Sequence, residues 1–504
     1  MRDIIRFLSF LVLMTSGCIE PATQADQSTQ NSQNTTNNEP AVRWDVHSSK
    51  GLVGLFEFSS GSPPYQGLGG ELFLEGDVSD DELRGQGRVG FVTNALQPII
   101  EEHRGLSLEM WWGYQFVDGG RVISLDNDVT PVLTLEREQE SSAVVLTTPF
   151  DRYEVPDVLL PEVLQHIALT VDDRFLRLYV DGVLCFSALS SPEVIDALSQ
   201  TTDVRLADEG TYYRYRSVAL YGRSLLAAEV AHHTLLGEAN TAVGVGPEDL
   251  ISVAYRSSET VDQNKAGYES RTFSPSDARD GLMINASTEN VHAVIRFPID
   301  GQAFEGIDVR QASVRLGTIH FRPKDSWYFK VYALARAWDP MSVSWLKATA
   351  TEAWLEDGGI ADVTTELASL SGESANGNSQ TELLRIDVSA QWSRWLDDNP
   401  GLLLSTRNVS ASFEDGPHQG PTLLVVGTGD VPTPTGEATS SRTASKCRVS
   451  QSSPPATQME IYIDRELAAV TSGPFVDVEP CPSNLIVVWR DLSGQLSDSQ
   501  VLSF

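Results

Sequence analysis

Apolar and polar residues alternate with a period of two along most of this chain, from about Val42 to its end. Gly105-Leu-Ser-Leu-Glu-Met-Trp-Trp112 places Leu106, Leu108, Met110 and Trp112 on one face and Ser107, Glu109 and Trp111 on the other. Gln165 to Val171 alternates likewise, and after the polar Asp172-Asp173 comes Arg174-Phe-Leu-Arg-Leu-Tyr-Val180. Asp181-Gly182, a two-residue hairpin signal, introduces Val183-Leu-Cys-Phe-Ser187. Ser217 to Ser224 is a further strand and leads into a short helical run from Leu225 to His233.

A second alternating stretch runs over 249–427. Val294-Ile-Arg-Phe stops at Pro298, and Val309–Leu316 and Trp327–Leu334 alternate as two strands with a hairpin between them. Trp338, Trp345 and Trp354 follow, then Leu384–Val388, Trp392 to Trp395, Gly401–Ser405 and Pro421–Val426. The Pro/Thr-rich 428–443 reads as an extended linker. In 444–504, Met459–Ile463, Phe475–Val478 and Leu485–Trp489 are short strands. The pattern predicts an all-β, multidomain protein.

The N-terminus breaks the alternation. A basic Arg2–Arg6 start, an apolar run from Phe7 to Met14 and the small residues Ser16 and Gly17 before Cys18 have the order of a secretory signal peptide. The small-small-Cys ending resembles the lipobox of bacterial lipoproteins, with Thr15 departing from the usual Leu. The resemblance implies a signal peptide over 1–17, lipidation of Cys18 and a membrane-anchored lipoprotein facing the periplasm or cell exterior. Plain secretion is the alternative. Residues 18–41, rich in Gln, Asn, Thr and Ser, read as a disordered stalk.

The 504 residues carry 69 acidic against 36 basic side chains, a formal charge of -33, which argues against a nucleic-acid partner. Of the four cysteines, Cys18 is the candidate anchor and Cys185 lies in an apolar strand. That leaves Cys447 and Cys481 as a candidate disulfide in an oxidising compartment. No second apolar run reaches spanning length, so the lipid is the expected membrane contact.

Three blocks, "SLEMWW", "QHIALTVDDRFLRLYVDG" and "VALYGRSLLAAEVAHH", resemble the concanavalin-A-like, laminin-G-like jelly-roll family in motif and order. The resemblance implies a jelly-roll β-sandwich over 42–240. Leu226 stands where that family has a Ser or Thr helix cap, so the helix is expected to start earlier, from Ser224. From 249 to 427, "ASVRL", the tryptophans around "VSW", a Trp-then-Gly-Gly turn, "GLLL" and a closing Pro-x-Leu resemble the DNRLRE family of secreted β-sandwiches, some of whose members bind carbohydrate. The opening "TVDQNKAGYESR" departs from that family's pattern. Residues 444–504 are similar in pattern to a small fibronectin-III-like or immunoglobulin-like sandwich. The fold expected is thus a jelly-roll β-sandwich, a second β-sandwich and a small C-terminal β-sandwich, strung as modules.

Candidate chemistry is sparse. A glycan hydrolase needs paired carboxylates, and Glu109 has no such partner in its motif, so it reads as a solvated sheet-face acid. His232-His233 lacks the spacing of a zinc helix and reads as a surface pair. Asp126, Asp128 and Asp181 are weak calcium candidates, since turns favour Asp for backbone reasons alone. No cofactor beyond possible Ca²⁺ is implied, and no enzyme is expected. The resemblance to the DNRLRE family implies that Trp338, Trp345 and Trp354 belong to its packed motif and are packing residues rather than a sugar platform. The one local reversal of charge is Arg315 to Arg336, where Arg322, Lys324 and Lys330 flank Trp327 and Tyr328. That combination suits an anionic polysaccharide; a hairpin balancing charge against the acidic first domain is the alternative. Two functions stay open: carbohydrate binding or adhesion to a polysaccharide or surface glycoconjugate, and structural display through a partner protein.

Overall fold

The computed structural model describes residues 52–57, 65–67, 73–79, 82–90, 96–115, 119–127, 130–207, 213–239, 250–256, 259–263, 270–273, 282–285, 291–299, 301–339, 343, 346–374, 380–413, 421–430, 434–442, 446–452, 457–471 and 474–503. Cys18, the stalk, Asp128 and Trp345 lie outside them. The protein is all-β, built of antiparallel sheets with a few short helices.

The first sandwich has two sheets. In one, the strands run Tyr65–Gly67, Leu52–Glu57, Arg214–Tyr221, Gly105–Gly113, Gln165–Asp172, Phe175–Val180 and Val183–Leu189. In the other they run Phe73–Ser79, Glu82–Gly90, Asp203–Leu206, Gly120–Asn127, Thr130–Arg137, Val144–Thr147 and Arg152–Val155. Leu106, Leu108, Met110 and Trp112 fill the space between the sheets, opposite Ile123, Leu125, Leu133 and Leu135, as the alternation requires. Asp181 and Gly182 both have positive φ, the conformation that a two-residue hairpin turn demands.

The second sandwich is organised by one element. Val309–Leu316 and Trp327–Leu334 are not two strands of a hairpin; Asp308–Leu334 is continuous and serves both sheets. Its first half lies between Thr422–Thr428 and Gln380–Asp387, its second half between Leu402–Phe413 and Val363–Ser374. The register shifts between Pro323 and Tyr328, where a residue without an N–H interrupts the ladder. Val314, Leu316, Phe329, Val331, Leu402, Leu404, Leu423 and Trp395 form the core. Trp338 and Trp354 are buried in a smaller cluster with Leu334 and Leu403, outside the second sheet, so both are packing residues.

The modules are not strung loosely. The C-terminal sandwich begins inside the segment expected to be a linker, with Glu437–Arg442 pairing Cys447–Ser452. Met459, Ile461, Val487 and Trp489 face its own core, while Tyr462 and Val488, on the opposite face, pack on Phe175 of the first sandwich. Leu492 enters the core of the second sandwich, and its carbonyl accepts from Ser252 N. Ala228, Ala231 and Leu235 of the Ala227–Ala239 helix pack on Leu250, Leu424 and Val426. Cys447 and Cys481 are joined as a disulfide, and Cys185 is a buried free thiol.

Candidate functional site

The polar face of the first sandwich is closed to solvent, which corrects two expectations. Glu109 is 1% exposed and is no solvated acid; His232 and His233 are buried as well. The face lies beneath the Ala227–Ala239 helix. His233 Nδ1 donates to the Glu109 carboxylate at 2.9 Å, and His166 Nε2 stands 3.7 Å from Glu109 Oε1. Thr234 Oγ1 donates to the Val230 carbonyl, so it accepts from His166 Nδ1 at 2.7 Å. Burial alone would lower His233, but the Glu109 charge and hydrogen bond hold it above the usual imidazole value. His232 is pushed down to about 4 by burial and by the neighbouring His233. The helix begins at Ala227, not at Ser224: Glu229 reaches back to accept from Leu226 N at 2.9 Å, half of a capping box, and Arg223 clamps the same carboxylate.

The rest of that face is covered by the C-terminal module. Arg177 Nη2 donates to Glu460 Oε2 at 2.9 Å, and Arg490 Nε approaches Glu460 Oε1 at 2.7 Å. Arg177 Nε, Ser187 Oγ, Tyr462 OH and Glu460 continue the chain of hydrogen bonds.

The two described calcium candidates, Asp126 and Asp181, have protein partners. Asp126 is buried against Arg205 Nε at 2.8 Å. Asp181 accepts from Gln165 Nε2 and from His166 N, both at 3.0 Å, fixing the hairpin to the next strand. Among the described residues no group of three His, Cys, Asp or Glu could hold a metal ion.

The open polar face is on the second sandwich. Trp327, Phe329 and Val331 point into or pack against its core, so Tyr328, Lys330 and Tyr332 stand on the opposite side, half-buried. Trp327 is half-buried against the core, and its indole stands beside Gly372, where a Cβ would come within 3.2 Å of its Nε1. Direct partners across an antiparallel pair share a face, and the register yields three rows. The first is Ser371–Tyr328–Arg407, the second Ser369–Lys330–Ser405, and the third Glu366–Tyr332–Leu403. Arg407, Ser371 and Glu366 are exposed, whereas Ser405 and Leu403 are buried.

Lys330 is not a free cation. Its Nζ donates to Glu366 Oε2 at 2.7 Å, and that hydrogen bond holds the lysine above and the glutamate below their ordinary values. Arg336 is matched to Glu352 and Asp362, and Arg315 is buried. Arg322 and Lys324 occupy backbone positions in the same strand, with Arg322 opposite Ser410. The sequence reading missed Tyr332, Glu366 and Arg407. Tyr332 was legible from the i+2 spacing to Lys330; the other two lie on strands distant in sequence.

No family model matches the chain, and no curated protein matches it. Among solved structures, Trypanosoma rangeli sialidase with the inhibitor DANA aligns at 13% identity and a TM-score of 0.28, covering 37% of this chain and 33% of that one. The chain thus spans about a third of that protein's length. The binding domain of botulinum neurotoxin DC, solved with rat synaptotagmin II, aligns at 10% identity and a TM-score of 0.30, covering 70% and 98%. A structure of botulinum neurotoxin type C, described with two ganglioside molecules, aligns at 9% and 0.30, covering 70% and 97%. TM-scores of this size carry no argument about ligand or activity.

Proposed function

We propose that the protein is a membrane-anchored, extracytoplasmic carbohydrate-binding lipoprotein acting in adhesion, with an anionic polysaccharide as ligand. One observation carries this reading: the three-row face around Tyr328, Lys330 and Tyr332 sets aromatic rings, hydroxyls and charges side by side on a rigid sheet, exposed at Ser371, Glu366 and Arg407 and covered toward Leu403, where Tyr332 packs on the cluster around Trp338. Tyrosine offers an apolar ring face for a sugar and a hydroxyl for its edges, while Ser369 and Ser371 add donors and acceptors. The anchor rests on the Ser16-Gly17-Cys18 motif.

The test uses the full mature chain, titrated with anionic and neutral polysaccharides beside a Tyr328→Ala/Tyr332→Ala variant. Saturable binding that the double variant loses supports the site; equal binding by the variant refutes it. Fractionation of a Cys18→Ser variant checks the anchor, since retention in membranes would overturn lipidation. A second reading, structural display, is favoured by the buried contacts that tie the three sandwiches into one body. Absence of binding to every polysaccharide selects it.

A further inference from the structure

The Ala227–Ala239 helix serves two modules, and its adjacent histidines belong to different ones. His233 and Thr234 bond to Glu109 and His166 of the first sandwich, and a Cβ at Gly237 would come within 2.6 Å of Trp111. Ala228, Ala231 and Leu235 face Leu250, Leu424 and Val426 of the second sandwich. His232 follows Ala228 by four positions and precedes Leu235 by three, which sets it on the flank of that second face. It is 7% exposed, and its Nε2 is buried without a hydrogen-bond partner. The second sandwich is held from two further points. Leu492 of the C-terminal module enters its core and accepts from Ser252 N at 2.7 Å, and Arg385 Nη2 donates to the Leu164 carbonyl at 2.8 Å.

Of the strands packed on the helix, Thr422–Thr428 carries no titratable side chain, Val183–Leu189 carries Cys185, and Leu250–Arg256 carries Tyr255 and Arg256 at its far end. The carboxylates placed around the helix are spent. Glu109 is bonded to His233, Glu229 to Arg223 and Leu226 N, and Asp491 to Ser493 N, Ser493 Oγ and Gln495 N. A proton on His232 would therefore set an uncompensated charge into the contact. Burial and the neighbouring His233 hold this imidazole down at about 4. The groups around it respond to acid in the other direction: Glu109 holds His233 up, and burial raises Asp491. Glu460, held low by its two arginines, keeps its charge above the ordinary value near 4.3. We propose that the second sandwich is held to the other two modules by an acid-released latch, with His232 as its sensor. On opening, the helix stays on the first sandwich, because its Glu109 pair is strongest with His233 charged. The Arg177–Glu460 pair keeps the C-terminal module there too, so Leu492 leaves the core of the second sandwich.

The experiment follows hydrogen exchange of the Ser252 amide in the full chain from pH 8 to pH 5, corrected for the intrinsic rate, because this N–H bonds across the contact. With His232 titrating near 6.5 when open and at about 4 when closed, the closed form is favoured in full above about 6.5 and loses ground toward 4. The opening constant should rise about 30-fold over the interval. Amides of the helix, and those pairing Leu250–Arg256 with Thr422–Thr428 inside the second sandwich, should keep their protection. His232→Gln should cut the rise to about twofold or less, whereas His233→Gln should leave most of it. His232→Lys should open the contact at pH 8 and enlarge the radius of gyration in solution scattering. An equal rise in His232→Gln, or no rise in the unaltered chain, overturns the latch. So does a His232→Lys chain that folds and stays closed; if that chain does not fold, the His232→Gln comparison decides. Loss of helix protection together with that of Ser252 overturns the placement of the opening at the second sandwich.

Discussion

Removing the Glu460 carboxylate should undock the C-terminal sandwich. Arg177 is 6% exposed and Arg490 14% exposed at the side chain, and both are neutralised by this one acid. In Glu460→Ala two guanidiniums face each other in a site poor in water, and Tyr462 loses its acceptor. At about 6 Å and an effective dielectric near 20, their repulsion alone is about 3 kcal/mol. Breaking a buried pair by removing one partner costs about 3–5 kcal/mol. The loss should appear in calorimetry of the full chain as a lower-melting transition for the module. Hydrogen exchange should report it as new exposure around Phe175 and Val488, which pack together at the junction. Replacing all three residues at once, Arg177→Met, Glu460→Leu and Arg490→Met, should recover most of the loss, because no charge is left buried. A cost below about 1 kcal/mol for Glu460→Ala would refute the reasoning. The pH dependence has a definite sign. Burial alone would raise Glu460, but Arg177 and Arg490 hold it below the ordinary carboxylate value. Its contribution is therefore full above the unfolded value near 4.3 and is lost as pH falls through the lower folded value.

Other consequences can be measured in parallel. Trp338→Ala removes a buried indole that donates to the Pro400 carbonyl at 2.8 Å, and should cost about 3–5 kcal/mol in denaturant unfolding. Unchanged stability there would mean the ring is not packed. Cys447→Ala opens a bridge across a sequence separation of 34 and should destabilise the C-terminal sandwich by about 2–4 kcal/mol; a free thiol at Cys481 in the oxidised protein would contradict the bridge. His232, held at about 4 in the fold, resists a proton that the unfolded chain accepts near 6.5. Stability from this group is full above about pH 6.5 and declines toward pH 4, so His232→Gln should reduce the slope of melting temperature against pH in that interval. His233, raised in the fold, acts with the opposite sign: its contribution is full below about 6.5 and is lost as pH rises through the folded value. Its replacement by Gln should lower stability most on the acid side of pH 6.5, and no such asymmetry would count against the Glu109 pair.

The alternation of residues by itself determined which side chains share a face. Leu106, Leu108, Met110 and Trp112 lie on one side of their strand and Ser107, Glu109 and Trp111 on the other. The Asp181-Gly182 turn followed from backbone sterics. A period of two says nothing about what the polar face meets. Glu109 finds His233 at a sequence distance of 124, and Arg177 finds Glu460 at 283, so a face that reads as solvated becomes an interior seam. The same limit applies at the open face. Lys330 reads as a free cation until Val363–Ser374 brings Glu366 beside it, and Arg407 reads as one isolated base until the register of Leu402–Phe413 sets it against Tyr328. Local sterics and periodicity act within a few residues and can be read from the chain. Electrostatic pairing and solvent exposure act between strands, and only the packing of distant strands decides them.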